Sequence, residues 1–187
     1  MDDPIEDIQR ASSSIPVYSF HNADSATLYG FEIDGRKNLD FIDKSLTEYY
    51  ISGNFSYNFS EVSLTEEQKE DLSSDKRDLQ GLSPFVVNFT LGYENEKRSA
   101  LLNFNYMDER IRKVGVIDVY SYPDQYETPP ALVDLVWIEK FNYGYDFDVK
   151  VKAGNILDGE TEWKEGDNIT RSYKKGRTLS MKISAKF

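Results

Sequence analysis

The amino-acid sequence predicts an all-β chain, an antiparallel up-and-down meander of about seven strands that is part of a large transmembrane β-barrel. Three observations carry this. Apolar and polar residues alternate at period two in segment after segment, which only a strand converts into one greasy and one polar face. The connections alternate between short and long, as they do when every other one emerges at the same end of a meander. Aromatic residues cluster near both ends of the apolar faces, where bilayer interfaces favour amphipathic rings.

The segments follow in order. Tyr29, Phe31 and Ile33 oppose Gly30, Glu32 and Asp34, and the longest run sets Tyr49, Ile51, Gly53, Phe55, Tyr57 and Phe59 against Tyr50, Ser52, Asn54, Ser56, Asn58 and Ser60. Phe85, Val87, Phe89, Leu91 and Tyr93 alternate with Val86, Asn88, Thr90, Gly92 and Glu94; Ala100, Leu102, Phe104 and Tyr106 then alternate with Leu101, Asn103 and Asn105. Val133, Leu135 and Trp137 against Asp134, Val136 and Ile138 form a less clean case. Tyr145, Phe147, Val149, Val151 and Ala153 face Asp146, Asp148, Lys150, Lys152 and Gly154. The last strand sets Leu179, Met181, Ile183, Ala185 and Phe187 against Thr178, Ser180, Lys182, Ser184 and Lys186.

Short turns are expected near Asn95-Glu96-Lys97 and Asn142-Tyr143-Gly144, and a medium one over residues 38–45. Residues 61–83, 108–130 and 157–172 read as long polar loops sharing one rim. Within the first, Thr65 and Gln68 match a capping box, so a short helix is expected there. The Asn-Phe-Ser, Asn-Phe-Thr and Asn-Ile-Thr triplets at Asn54, Asn58, Asn88 and Asn168 read as by-products of polar/aromatic alternation rather than glycosylation sites.

A soluble β-sandwich also alternates, but it buries aliphatic side chains between two sheets and shows no systematic alternation of loop length. The charges of Asp146, Asp148, Lys150 and Lys152 suit a hydrated lumen and an ordinary solvated sheet face equally well.

Composition excludes several functions. With 33 acidic and 22 basic side chains, the formal charge is −11, which argues against nucleic acid as the main partner. The absence of cysteine removes disulfides, Cys-ligated metals and thiol nucleophiles; the lone His21 cannot build a multi-His zinc site, and no nucleophile motif flanks it. Acidic pairs such as Asp146/Asp148 have no accompanying base or metal set, so neither an enzyme activity nor a cofactor is expected. No apolar run is long enough for a membrane-spanning helix, and Met1-Asp2-Asp3-Pro4 opens no signal peptide.

From Asn22 to Phe187 the chain resembles the C-terminal part of the barrel of TonB-dependent outer-membrane receptors. The resemblance lies in Asn22-Ala23-Asp24-Ser25-Ala26 leading into Tyr29-Gly30-Phe31-Glu32-Ile33, in the run from Leu79 to Asn88, in Asn155-Ile156-Leu157-Asp158, and in the closing run from Gly176 to Phe187. It implies energy-coupled import of a ferric siderophore, cobalamin or a similar scarce ligand at the bacterial outer membrane. It also implies contact with outer-membrane lipid, and a terminal signal at Leu179, Met181, Ile183 and Phe187 read by the barrel-assembly machinery. Coupling to the TonB complex would run through an N-terminal part, including a plug domain, that cannot be found in residues 1–187. Pro4-Ile5-Glu6-Asp7 resembles the end of an upward strand, so this stretch is expected to begin in an extracellular loop, and an odd number of strands is expected not to close on itself. Tyr120, Tyr122, Tyr126 and Trp163 are the aromatic candidates for ligand contact in the long loops, with plain loop packing as the alternative for each. The other functional reading is a stand-alone soluble β-sheet binding module that uses its aromatic face against a partner or a sugar.

Overall fold

The computed structural model describes residues 1–10, 17–74, 76–117, 121–142 and 144–186. The seven alternating segments form one antiparallel sheet of β3 (Ser25–Asn38), β4 (Tyr49–Ser63), β5 (Phe85–Glu94), β6 (Arg98–Met107), β9 (Leu132–Asn142), β10 (Asp146–Gly154) and β13 (Thr178–Lys186). They lie side by side in chain order, with β3 and β13 at the two edges, so the sheet is open, as an odd strand count leads one to expect.

The register places the predicted faces. Residues directly opposite one another share a face, and Ile51, Leu91, Leu102, Leu135, Ala153 and Leu179 form one continuous cross-strand row. The next row is Tyr49, Tyr93, Ala100, Trp137, Val151 and Met181. Phe55, Phe89, Val149 and Ile183 fall on the same face, as expected, two or four residues from members of these rows. Among the described residues no second sheet covers it: Ile33 is 64% exposed, Leu135 43% and Ile183 61%.

On the opposite face a polar ladder crosses four strands. Asn105 donates to Asn88 (2.5 Å), Asn88 to Asn54 (3.4 Å) and Asn54 to Glu32. Thr90 donates to Asn103 (2.9 Å) beside it, and Lys152 pairs with Asp134 (2.6 Å). Towards the short turns this side carries a local apolar contact, in which the buried Tyr50 ring lies over Gly92 and under the Arg36 guanidinium, 3.6 Å from the ring centroid. A Cβ on Gly92 would sit 2.1 Å from that ring. Gly92→Ala is therefore expected to displace Tyr50 and cost about 1–3 kcal/mol as an overpacking change, whereas Gly35→Ala, where a Cβ meets nothing within 4 Å, should cost little; thermal denaturation of the two variants compares them.

The long connections are more structured than loops. Residues 108–130 contain β7 (Arg110–Lys113) and β8 (Gln125–Thr128), and β11 (Glu160–Glu165) and β12 (Asn168–Lys174) follow β10. These four pair in the order β12-β11-β8-β7 as a second sheet that extends β6, β9, β10 and β13 beyond the first. Their sequences, Arg-Ile-Arg-Lys, Gln-Tyr-Glu-Thr, Glu-Thr-Glu-Trp-Lys-Glu and Asn-Ile-Thr-Arg-Ser-Tyr-Lys, hide from a period-two reading because polar or charged residues stand on both of their faces. A hairpin of β1 (Ile5–Arg10) and β2 (Val17–Asn22) stands at the same end. The short helix α1 (Glu66–Asp71) forms where the capping box predicts it: Gln68 N donates to Thr65 Oγ1 (3.3 Å) and Thr65 N to Gln68 Oε1 (2.9 Å).

All three long connections meet at one rim, as expected. β8 pairs with β11, a bridge links Leu72 to Val116, and Gly81 N donates to the Ile111 carbonyl (2.8 Å). The buried core lies at this rim and not under the large sheet: Ile8, Ala23, Ala26, Val62, Leu64, Leu72, Ile111, Val114 and Val116 pack together. Ala26 and Val62 are opposite each other on the polar side of the sheet, so this core fills the polar side.

Candidate functional site

The rim has two faces with different chemistry. Ile111 pairs with Tyr126, and Tyr126 with Lys164; since Ile111 is in the core, this set belongs to the polar side. The alternate residues Arg110, Glu127, Trp163 and Arg171, paired in one row, continue the apolar side beyond the exposed belt.

On the polar side an open recess of about 570 Å³ is lined by Ser73, Ser74, Glu109, Asp124, Tyr126, Lys164 and Asp167, among others. Asp124, buried, organises its floor: Oδ1 accepts from Gly115 N (2.8 Å) and Ser73 Oγ (3.3 Å), and Oδ2 from Ser74 Oγ (2.8 Å). Gly115 is required there, because a Cβ would lie 2.0 Å from the Tyr122 carbonyl oxygen. Burial, helped by the Asp124, Asp78 and Glu109 carboxylates, pushes the Tyr126 hydroxyl above its ordinary range, so it stays a neutral donor. Lys164 is held above its usual value by its hydrogen bond to Glu162 (2.8 Å). A phenol, an ammonium, two hydroxyls and carboxylates around one recess suit a polar, multiply hydroxylated or chelated ligand. No group of three or more His, Asp and Glu side chains is placed to share a metal among the described residues.

Beneath this recess a buried ion pair ties the N-terminal hairpin to residues 76–84. Arg77 Nη2 meets Glu6 Oε2 at 2.5 Å, both side chains essentially inaccessible, and Arg77 Nη1 donates to the Ser74 carbonyl (3.0 Å). Glu6 Oε1 and Arg77 Nε have no partner among the described residues.

On the other side of the same strands, the Trp163 indole is flanked by two guanidinium groups, Arg112 at 3.6 Å and Arg171 at 4.4 Å from its centroid, with Tyr173 edge-on at 6.2 Å. Arg110 holds Glu127 through Nε (3.0 Å) and Nη2 (2.7 Å).

The four aromatic candidates thus part company. Tyr126 lines the recess, and the half-buried Tyr122 stands at its margin, tied to Val116 through its backbone (3.0 Å). Trp163 lies on the opposite face, and Tyr120 falls outside the described residues. Of the terminal signal residues, Leu179, Met181 and Ile183 project from the apolar face, 79%, 68% and 61% exposed, and Phe187 is outside the described residues. Sequence reasoning missed Glu6, Arg77, Asp124, Arg112 and Arg171. They are charges in polar stretches with no motif around them, and only the folded structure gives them their partners.

No family model matches the chain, and neither the curated proteins nor the solved structures searched contain a match.

Proposed function

We propose that residues 1–187 are the C-terminal part of the barrel of a TonB-dependent outer-membrane receptor, which takes up a scarce ligand such as a ferric siderophore by energy-coupled transport. One observation carries the reading. The apolar face of the seven-stranded meander is continuous across every strand and open to its surroundings, and it bears aromatics at both ends: Tyr29, Phe59 and Phe31 towards the capped rim, Tyr49, Trp137 and Phe141 towards the short turns. A soluble monomer rarely exposes so extended an apolar surface, and lipid is the environment in which such a face costs nothing.

In this reading the Asn ladder and the Asp134–Lys152 pair line a hydrated lumen, and the free edges of β3 and β13 pair with the barrel's other strands. Unpaired edges in lipid would cost several kcal/mol per orphaned group. The Leu179–Met181–Ile183 side of β13, with Phe187, serves the barrel-assembly machinery, and TonB acts through the N-terminal part of the receptor. The ligand meets the recess beside Tyr126 and Lys164. The reading assigns transport and no catalytic step.

Because the chain lacks cysteine, single-cysteine variants test it directly. In intact bacteria a membrane-impermeant maleimide should label Asp167→Cys in the cap. Leu135→Cys should stay unlabelled until the membrane is dissolved and the protein denatured. Rapid labelling of Leu135→Cys in water, with the protein in the soluble fraction, would overturn the receptor reading. It would favour a soluble module that offers this face to a partner or a sugar.

A further inference from the structure

We propose that the recess between β4 and residues 78–84, walled by Tyr29, Tyr57 and Phe59 and bordered by Glu61 and Asp78, binds the N-methylated ammonium group of an organic cation. The proposal goes beyond the receptor reading and does not rest on it.

Geometry is the first argument. β3 and β4 run on past the start of β5, whose first residue, Phe85, pairs with Tyr57. Beyond that point β4 is flanked by a segment that is not a strand: Asn58 N donates to the Pro84 carbonyl (2.7 Å), Leu79 N to Ser60 Oγ (2.9 Å) and Val62 N to the Arg77 carbonyl (3.1 Å). The change of neighbour leaves an open recess of about 560 Å³. Pairing sets Thr27 opposite Glu61, Tyr29 opposite Phe59 and Phe31 opposite Tyr57, all on one face. The rings make a platform: Tyr29 and Phe59 stack with centroids 5.1 Å apart and 13° between their planes, and Tyr57 meets Phe59 at 4.5 Å. Tyr29 is 64% exposed and Phe59 42%, so the platform is open to a ligand.

Charge is the second. No Lys, Arg or His lines the recess among the described residues. Asp78 accepts from the Ser60 hydroxyl (3.2 Å), and neither Asp78 nor Glu61 has a basic partner among the described residues. The contrast is with Glu139 beside Trp137, which Arg98 neutralises, and with Glu127, which Arg110 neutralises. Aromatic faces carry the negative side of a quadrupole and attract a cation, and clusters of them recognise methylated ammonium groups. Two uncompensated carboxylates at the margin add to that attraction. A methylated ammonium answers both features, since its methyl groups pack on the rings and its charge faces the acids. An anion suits neither, and a neutral apolar group suits the rings alone.

The test uses the full chain purified in a maltoside detergent, which carries no ammonium group. Equilibrium dialysis measures the binding of labelled choline and of dimethylbutanol, its uncharged isostere with carbon in place of nitrogen. Choline should bind, and the isostere should bind about fivefold more weakly, the size of an exposed cation–π contact. Tyr29→Leu, which keeps an apolar side chain without the ring, should weaken choline binding about threefold to fivefold. The doubly substituted Glu61→Gln/Asp78→Asn protein, which keeps the shapes and removes the charges, should do the same, while Glu48→Gln at the opposite rim should leave binding unchanged. Phosphatidylcholine vesicles identify the source of the group: displacement of labelled choline by them assigns it to a lipid headgroup, displacement by free choline alone to a soluble ligand, and both uphold the site. Absence of choline binding, equal binding of choline and its isostere, or unchanged binding by both substituted proteins overturns the proposal. None of these results touches the receptor reading, which the labelling of Leu135→Cys tests separately.

Discussion

Leu102→Arg is expected to cost the folded protein about 2–4 kcal/mol if the apolar face meets lipid as proposed, the depth-dependent cost of an arginine on the lipid face of a barrel. Asn103→Arg, one residue along β6 and on the polar face, should stay within about 1 kcal/mol. Leu102 sits between Leu91 and Leu135 in the middle of the apolar row, and Asn103 between Thr90 and Asp134. One step of a strand thus separates the apolar face from the polar one. The yield of each variant resistant to unfolding in membrane extracts reads the difference. If the apolar face met water, an arginine replacing a leucine already 43% exposed would cost almost nothing, so equal behaviour of the two variants refutes a lipid-facing belt.

Arg77→Ala should be the most damaging single change at the rim, costing about 3–5 kcal/mol because it leaves the Glu6 carboxylate buried and uncompensated. The loss should be local, since the pair joins β1 to the segment whose Arg77 carbonyl accepts from Val62 N (3.1 Å). Hydrogen exchange should rise at Val62 and at Val114, whose N–H donates to the Asp7 carbonyl (3.1 Å), while the amides of β9 and β10 keep their protection. Replacing both partners together, Glu6→Leu with Arg77→Met, should recover most of the stability, because neither charge is then desolvated. If the double change is as damaging as Arg77→Ala, packing and not electrostatics holds the rim.

The seven strands of the large sheet were legible because each faces two different environments, and that difference is written at period two into its residues. The facing followed from the same pattern: Leu91, Leu102 and Leu135 share a face because slipping any strand by one residue would turn its apolar set to the polar side. The capping box was legible because its two hydrogen bonds connect residues three apart.

The cap was not legible, and the reason is physical. β7, β8, β11 and β12 stand between solvent and a small core, so Ile111 is the one apolar residue in β7 and Trp163 the one in β11, too few to set a period. Their partners come from long-range pairing: Arg110 finds Glu127 and Trp163 finds Arg171 across paired strands, and Arg77 finds Glu6 from 71 residues away along the chain. Composition and alternation by themselves determined an antiparallel meander with one apolar and one polar face and its long connections at one end. Only the tertiary structure decided that Tyr126 and Trp163, both aromatic candidates, look in opposite directions, because a side chain's direction in a strand is set by the register in which that strand pairs.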